Sequence, residues 1–302
     1  MIAVVGEILV DMIGENVNGE FCYLRKAGGA PFNVACAISR LGGEAAFYGV
    51  VGDDLIGTYL SDFASKRGFK DLCIEKRKDR NTTLAFVDRD ENGERSFCFY
   101  RKSTADASFG EVPEFVRTAP IVHFGTLMLS LREGKEFAER EISEAKKRGQ
   151  LVSMDVNFRE DVFINREEAL ATYRHFIEKA DILKFSEDEV ALFGEDYVSS
   201  LQDKIVLITL GGKGSKMIHN GKEIHAPSIV VAPVDTTGAG DAFLGAFLSR
   251  IDQKPIEEMD DRDFMEALRF SNIAAALNTL HPGAIDGLPS EEEVRKLMEE
   301  GK

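Results

Sequence analysis

The residues with the most chemistry to offer fall in one run, Asp235-Thr-Thr-Gly-Ala-Gly-Asp-Ala-Phe243. Two carboxylates, two hydroxyls and two glycines crowd the mouth of an apolar segment with helical periodicity. Gly238, Ala239 and Gly240 let the backbone turn tightly, so the first N–H groups of the helix point outward with partial positive charge and form an anion site. Asp241 shares that turn. A carboxylate there repels a phosphate unless it acts on a neighbouring proton, and an acid so placed can accept the proton of a hydroxyl whose oxygen attacks phosphorus. A plain helix start, capped by Asp or Thr, is the bland alternative and leaves Asp241 without a task.

The common forms of phosphate chemistry are missing. No Walker GxxxxGK[ST] run is present, because each Gly-Lys pair is followed by Glu, Gly or the chain end. The protein-kinase HRD and DFG motifs, a GxGxxG after a strand, HExxH and GxSxG are absent as well.

Elements that could position these groups are legible in the hydrophobic pattern. Residues 1–9 read as a buried strand and 45–51 as another, with a helix over 30–41 between them, Pro31 in its first turn and Gly42 past its end. Downstream, strand-like residues 121–124, 151–155, 182–185 and 205–210 are interleaved with helical residues 134–147 and 169–179, and long helices follow at 239–251 and 264–280. Alternation of this kind predicts an α/β fold with a mainly parallel sheet flanked by helices on both faces, and ligands bound beyond the carboxyl ends of the strands. Residues 82–88 and 95–101 break the pattern. They flank Asp90-Glu-Asn-Gly93, whose Asn-Gly pair tolerates positive φ and signals a hairpin. With a short strand at 21–25 they form a small antiparallel β flap. The chain therefore reads as a single domain, 1–302, with a β lid from excursions near 12–27 and 82–102.

Composition narrows the classes. Lys and Arg number 37 against 52 Asp and Glu, a net charge of −15, which opposes a nucleic-acid binder that relies on phosphate neutralisation. No apolar run reaches the roughly 18 residues of a membrane span, and the first residues lack the basic flank of a signal peptide. A cytoplasmic location is expected. Cys22, Cys36, Cys73 and Cys98 form no CxxC and are expected to be buried or half-buried thiols.

A second run, Gly28-Gly-Ala-Pro-Phe-Asn-Val-Ala35, precedes the first helix. The two runs in this order resemble the signatures of the ribokinase-like (PfkB) carbohydrate kinases, and the resemblance covers essentially the whole chain. Gly28 and Gly29 allow a ligand close to the backbone, and the Asn33 amide can donate and accept, as a polyol requires. The resemblance implies that Asp241 is the base that activates a sugar hydroxyl. It likewise implies that the N–H groups of Gly238, Ala239 and Gly240 form an anion hole, and that Asp11 binds sugar hydroxyls. Thr209-Leu-Gly-Gly-Lys-Gly214 resembles the family's nucleotide loop, which makes Thr209, Gly211, Gly212 and Gly214 ATP contacts, with Asn272 lining the adenine pocket. In Phe185-Ser-Glu-Asp-Glu189 the family's Asn-x-x-Glu keeps Glu189, expected to act indirectly on magnesium, but Ser186 replaces Asn. Magnesium should accompany ATP, held mainly by phosphates and water. Potassium is the further ion implied, at Asp235 and Thr237, completed by backbone near Gly283 and Ala284.

The acceptor is less sharply defined. Gly6-Glu-Ile-Leu-Val-Asp11 and Gly93-Glu-Arg-Ser-Phe-Cys-Phe-Tyr-Arg101 look most like bacterial fructokinases, and Leu9 replaces an Asn general among ribokinases. D-fructose, phosphorylated to fructose 6-phosphate, is the expected reaction. Asp155-Val-Asn-Phe-Arg159 is a DxNxR segment shared with 2-keto-3-deoxygluconate kinases. Arg101 and Arg159 could therefore clamp a carboxylate, bind hydroxyls or ATP phosphate, or serve only in ion pairs. Tyr100 is a candidate sugar contact from the flap, whereas Phe97 and Phe99 are expected to pack. The flap would cover the sugar and exclude water, and its edges could pair two copies into a homodimer. Readings from other classes are a nucleoside kinase and a non-catalytic sugar-binding regulator, which would have no use for Asp241.

Overall fold

A computed structural model describes residues 1–89 and 95–301. In chain order the strands are β1 (Ile2–Val5), β2 (Leu9–Val17), β3 (Glu20–Gly28), β4 (Ala45–Gly52), β5 (Asp71–Arg77), β6 (Leu84–Arg89), β7 (Arg95–Tyr100), β8 (Ile121–Phe124), β9 (Leu151–Asp155), β10 (Ile182–Ser186), β11 (Ile205–Thr209), β12 (Ser215–His219) and β13 (Lys222–Ala226). Nine form one sheet in the order β13-β12-β11-β10-β9-β8-β1-β4-β5. Its pairings are parallel from β11 to β5, and β12 and β13 add an antiparallel edge. Helices cover both faces, so inner strands such as β1 and β8 are buried at every residue, β1 as a continuous apolar run and β8 with one polar residue, His123.

Connections run from β1 through β4 to β5 in one direction and from β8 through β9 to β11 in the other. The crevice beyond the carboxyl ends of β1 and β8 is thus where the winding reverses, a place where open α/β sheets bind ligands. Helices Ala30–Arg40, Ala239–Ile251 and Asp261–Asn278 pack on one face, and Arg132–Lys147 and Arg166–Ile177 on the other. Within the first layer, Phe32 and Phe47 meet edge to face at 5.1 Å; burying each ring contributes roughly 2–3 kcal/mol. Gly245 lets two of these helices touch, because a Cβ there would lie 2.5 Å from Ala37 Cβ and 2.8 Å from Val34 O. The first turns of both helices are thereby brought side by side.

The lid is a four-stranded sheet in the order β3-β2-β6-β7. Two antiparallel pairs, β2 with β3 and β6 with β7, are joined by a parallel pairing of β2 with β6. Several elements differ from the sequence reading. The expected strand over 1–9 ends at Val5, and Leu9 begins a strand of the other sheet. The short strand at 21–25 extends over Glu20–Gly28, because Asn18 (φ 54°) and Gly19 (φ 86°) close a tight β2–β3 hairpin. A second Asn-Gly pair, Asn220 (φ 51°) and Gly221 (φ 72°), makes the β12–β13 hairpin, which the helix–strand alternation did not anticipate. The expected turn at Asp90-Glu-Asn-Gly93 lies outside the described residues. Cys98 is exposed, contrary to expectation, since alternate residues of β7 face outward. Among the described residues no helix is long and apolar enough to cross a membrane.

Candidate active site

The two glycine-rich runs meet. Asn33 Nδ2 donates a hydrogen bond of 2.8 Å to Asp241 Oδ2, while Asn33 Oδ1 is buried with no partner among the described residues. Asp241 stands in the first turn of helix Ala239–Ile251, behind Gly238 in the left-handed conformation (φ 75°). Only glycine fits at 238, since a Cβ would lie 2.4 Å from Ala284 Cβ. Burial pushes the Asp241 carboxyl above its ordinary value, opposed by the Asn33 hydrogen bond and by the positive charges of Lys184 and Arg159. A carboxylate raised in this way holds a proton more readily than an exposed one, which suits a general base.

A cavity of about 260 Å³ opens beyond the carboxyl ends of β1, β8, β9 and β10. Seven expected residues, Asp11, Gly29, Asn33, Arg159, Gly238, Gly240 and Asp241, line it, as does Thr237. Asp11 reaches it from the lid. In the lid register Asp11 pairs with Ala85 and Ala85 with Phe99, so these three share the inner face. Gly28 lies behind Asp11 and does not line the cavity; a Cβ on it would fall 2.2 Å from Asp11 Oδ2.

A second cavity, of about 360 Å³, is lined by Thr209, Gly211, Gly212, Gly214 and Asn272, all expected at the nucleotide, and by Ile229, Val231, Phe243 and Ala276. Its apolar walls suit a flat ring. Asn272 Nδ2 donates to the carbonyls of Ala226 (2.9 Å) and Pro227 (3.3 Å), tying the chain after β13 to helix Asp261–Asn278. Gly240 lines both cavities, so the helix start is where they adjoin.

Other expected residues stand elsewhere. Tyr100 pairs with Leu84 on the outer lid face and is 61% exposed, because strand alternation turns it away from the cavity that Phe99 enters. Phe99 both lines the cavity and packs with Leu9, Ala85 and Leu127; the side chain of Phe97 lies outside the described residues. The Arg101 guanidinium is buried outside the cavity. It binds Asp106, with Nε–Oδ2 at 2.9 Å, and donates to Ser130 Oγ at 2.6 Å. Glu189 accepts from the Phe158 and Ser186 amides, each at 2.7 Å, so its carboxylate fastens the 156–159 loop to the start of helix Glu187–Phe193. Ser186 caps that helix in a reciprocal capping box with Glu189.

Asp235 and Thr237 are close partners. Asp235 Oδ1 accepts from Thr237 N (2.8 Å) and Oγ1 (2.6 Å), and Oδ2 accepts from Gly283 N at 3.0 Å. Asn278 Nδ2 donates to Thr237 O at 3.2 Å, and its Oδ1 is buried without a partner among the described residues.

The cavity also holds residues to which the sequence reading gives no role: Glu7, Thr126 and Lys184, with Asp155 and Asn157 of the DxNxR segment. Burial pushes Glu7 up to about 8, with Asp106 and Asp241 adding and Arg101 opposing. Burial likewise pushes Asp155 up to about 7 despite Lys184 beside it. A signal for Lys184 existed in the sequence, since a lone cation inside the apolar run Ile182-Leu-Lys-Phe185 has to be paired when both sheet faces are covered.

Residues 1–291 match the family described as pfkB family carbohydrate kinase. The chain is 37% identical over 310 residues to fructokinase-1 of Oryza sativa subsp. japonica, covering 97% of this chain and 96% of that one. A fructokinase from Xylella fastidiosa with bound ATP superposes with a TM-score of 0.91 at 28% identity, over 99% and 98% of the two chains. A double mutant of the Vibrio cholerae O395 fructokinase, in its fructose, ADP and potassium ion bound form, gives 0.88 at 30% identity, over 98% and 97%.

Proposed function

The chain belongs to the pfkB family of carbohydrate kinases, and from that premise we propose that it transfers the γ-phosphoryl group of ATP to the 6-hydroxyl of D-fructose in the cytoplasm. The observation that carries this reading is the Asn33–Asp241 contact beside Gly240, where the two cavities adjoin. A sugar in the smaller cavity would find acceptors at Asp11 and at the unpartnered Asn33 Oδ1. Asp241 takes the hydroxyl proton as that oxygen bonds to phosphorus, and the helix-start N–H groups meet the charge on the phosphoryl oxygens.

Fructose is favoured over the keto-acid by the position of Arg101. With its guanidinium committed to Asp106 and Ser130, Arg159 alone of the two expected arginines lines the cavity, so the pair forms no carboxylate clamp. The kinship with fructokinases supports the same choice.

Magnesium bound with ATP would neutralise phosphate charge. Glu189 and Asp155 can orient its waters, and among the described residues there is no cluster of three or more His, Cys, Asp or Glu that could cage it. The unpartnered Asn278 Oδ1, beside the loop of Asp235 and Thr237, suits a monovalent cation such as the potassium of the Vibrio protein. A homodimer through the lid is supported by an outer-face ladder of rings. Phe21, Tyr23, Phe86 and Tyr100 lie 5.3, 4.9 and 5.1 Å apart in succession, and Phe21 is 59% exposed. Light scattering that gave a monomer mass at micromolar concentration would end that reading.

The test of function is ATP- and magnesium-dependent ADP release with D-fructose, 2-keto-3-deoxygluconate, ribose and adenosine in parallel. Fastest turnover with fructose is expected, and a preference for the keto-acid would replace the substrate while leaving the base and the anion hole in place.

A further inference from the structure

We propose that Lys184 is a catalytic residue whose ammonium touches the transferring phosphoryl group beside the helix-start N–H groups. The inference rests on the kinase reading above and adds a residue that reading does not use.

Lys184 lies on β10, between β9 and β11, where both faces of the sheet are covered. Its side chain is 9% exposed, and Nζ bonds both oxygens of Asp155 at 3.0 and 3.1 Å. As a structural feature this pair is a poor choice. Desolvating two charges costs about as much as their attraction returns, and apolar residues of similar size would serve as well or better. Its place is more telling than its strength. A Cβ on Gly240 would lie 2.9 Å from Nζ, so the ammonium abuts a residue that lines both cavities, and Lys184 itself lines the smaller one. Burial works against the charge on Lys184, but Asp155, Glu189 and Asp241 outweigh it, and Lys184 stays charged. An ammonium has three N–H groups and Asp155 can occupy two, which leaves one for a phosphoryl oxygen.

The chemistry balances without a new co-reactant. The fructose hydroxyl proton passes to Asp241, and the new O–P bond forms. The bond from the γ-phosphorus to the bridging oxygen breaks, and ADP leaves with that electron pair. Lys184 exchanges no proton. It places a positive charge where the transition state spreads negative charge over the equatorial oxygens, on a side chain that is itself buried.

The test uses the full chain with Lys184→Gln, Lys184→Met and Lys184→Arg. For each, kcat, fructose KM, ATP affinity and the affinity for ADP with aluminium fluoride and fructose are measured, the last as a mimic of the phosphoryl group in transfer. Loss of one preorganised donor costs roughly 10²- to 10³-fold in kcat. That loss is expected for Gln and Met, with a parallel loss of affinity for the fluoride complex, while fructose KM and ATP affinity stay within about threefold. Arg should recover part of both. Because Gln or Met alone strands a buried carboxylate, the double variant Asp155→Asn/Lys184→Gln is compared with Asp155→Asn, and the same fall is expected between them. Near-equal kcat in that comparison, or a change confined to fructose KM, overturns the proposal. If the wild-type chain turns over a sugar other than fructose, the substrate reading fails and the Lys184 comparison is made with that sugar.

Discussion

Asn33 and Asp241 are joined by a 2.8 Å hydrogen bond across 208 residues of chain. The bond holds the Asp241 carboxylate in one orientation and favours its charged form. Replacing Asn33 with Ala should therefore let burial act unopposed by that bond. The Asp241 carboxyl moves further up, and a general base with a raised value is protonated, and silent, at a higher pH. The acid limb of the kcat/KM profile should shift to higher pH in Asn33→Ala, and a superimposable profile would separate the bond from catalysis.

Asp241→Asn removes the proposed base but keeps the backbone turn. General-base catalysis is worth roughly 10²- to 10⁴-fold, so kcat should fall within that range while ATP affinity stays within about threefold. Stopped-assay turnover and calorimetric ATP binding on the same preparation measure the two. Near-normal turnover would refute the role.

Gly28→Ala tests the sugar site without touching a sugar ligand. The new Cβ would sit 2.2 Å from Asp11 Oδ2, so the carboxylate has to move. Loss of a hydrogen bond to a charged group costs about 1.5–3 kcal/mol, or roughly 10- to 100-fold in fructose KM. Asp11→Ala should give a shift of similar size, and combining the two should add little, because both act through one carboxylate. Additive shifts would mean that Gly28 acts elsewhere.

These positions also show how far the sequence could be read. The glycine runs, Asn33 and Asp241 are legible because backbone turns and helix starts are local chemistry, written in adjacent residues, whereas Asp11, inside β2, is reached only through the family resemblance. The sequence reading puts Tyr100 rather than Phe99 at the sugar, the reverse of their placement, since the choice of inner face depends on which residues of β2, β6 and β7 pair. For Arg101 the sequence leaves a ligand contact and an ion pair open, and its ion pair with Asp106 is a tertiary contact that no motif writes. Lys184 and Glu7 reach the cavity only because their strands end at the crevice, and strand order is not a local property. The β2–β3 and β12–β13 hairpins carried Asn-Gly signals at Asn18-Gly19 and Asn220-Gly221 that the helix–strand alternation overshadowed.

Glu7 is 3% exposed, and its Oε2 has no partner among the described residues. Its carboxyl is pushed from 4.5 to about 8 by burial first, with Asp106 and Asp241 adding and Arg101 opposing. Between those values the folded chain keeps a proton that the unfolded chain has released, so rising pH favours unfolding. Glu7→Gln has no proton to lose. Its advantage over wild type in denaturant unfolding should be small near pH 4.5, grow to roughly 3 kcal/mol by pH 7, and level off above pH 8. A difference that did not change with pH would place the charge of Glu7 in water.

The loop that precedes the anion hole offers the last test. Asp235 fixes Thr237 and Gly283, and Asn278 Oδ1 is left as a buried acceptor beside them. An orphaned buried oxygen costs free energy that a bound cation would offset. Thr237 directly precedes Gly238, so a cation here would brace the turn from which the helix N–H groups project. Such coupling is typically 1–3 kcal/mol, and kcat in choline chloride should be roughly 5- to 100-fold below that in potassium chloride at equal ionic strength. Asn278→Leu removes the acceptor. In that variant the two salts should give the same rate, close to the wild-type rate in choline. Equal wild-type rates in both salts would remove the cation from the mechanism, and a retained potassium response in Asn278→Leu would place it away from Asn278.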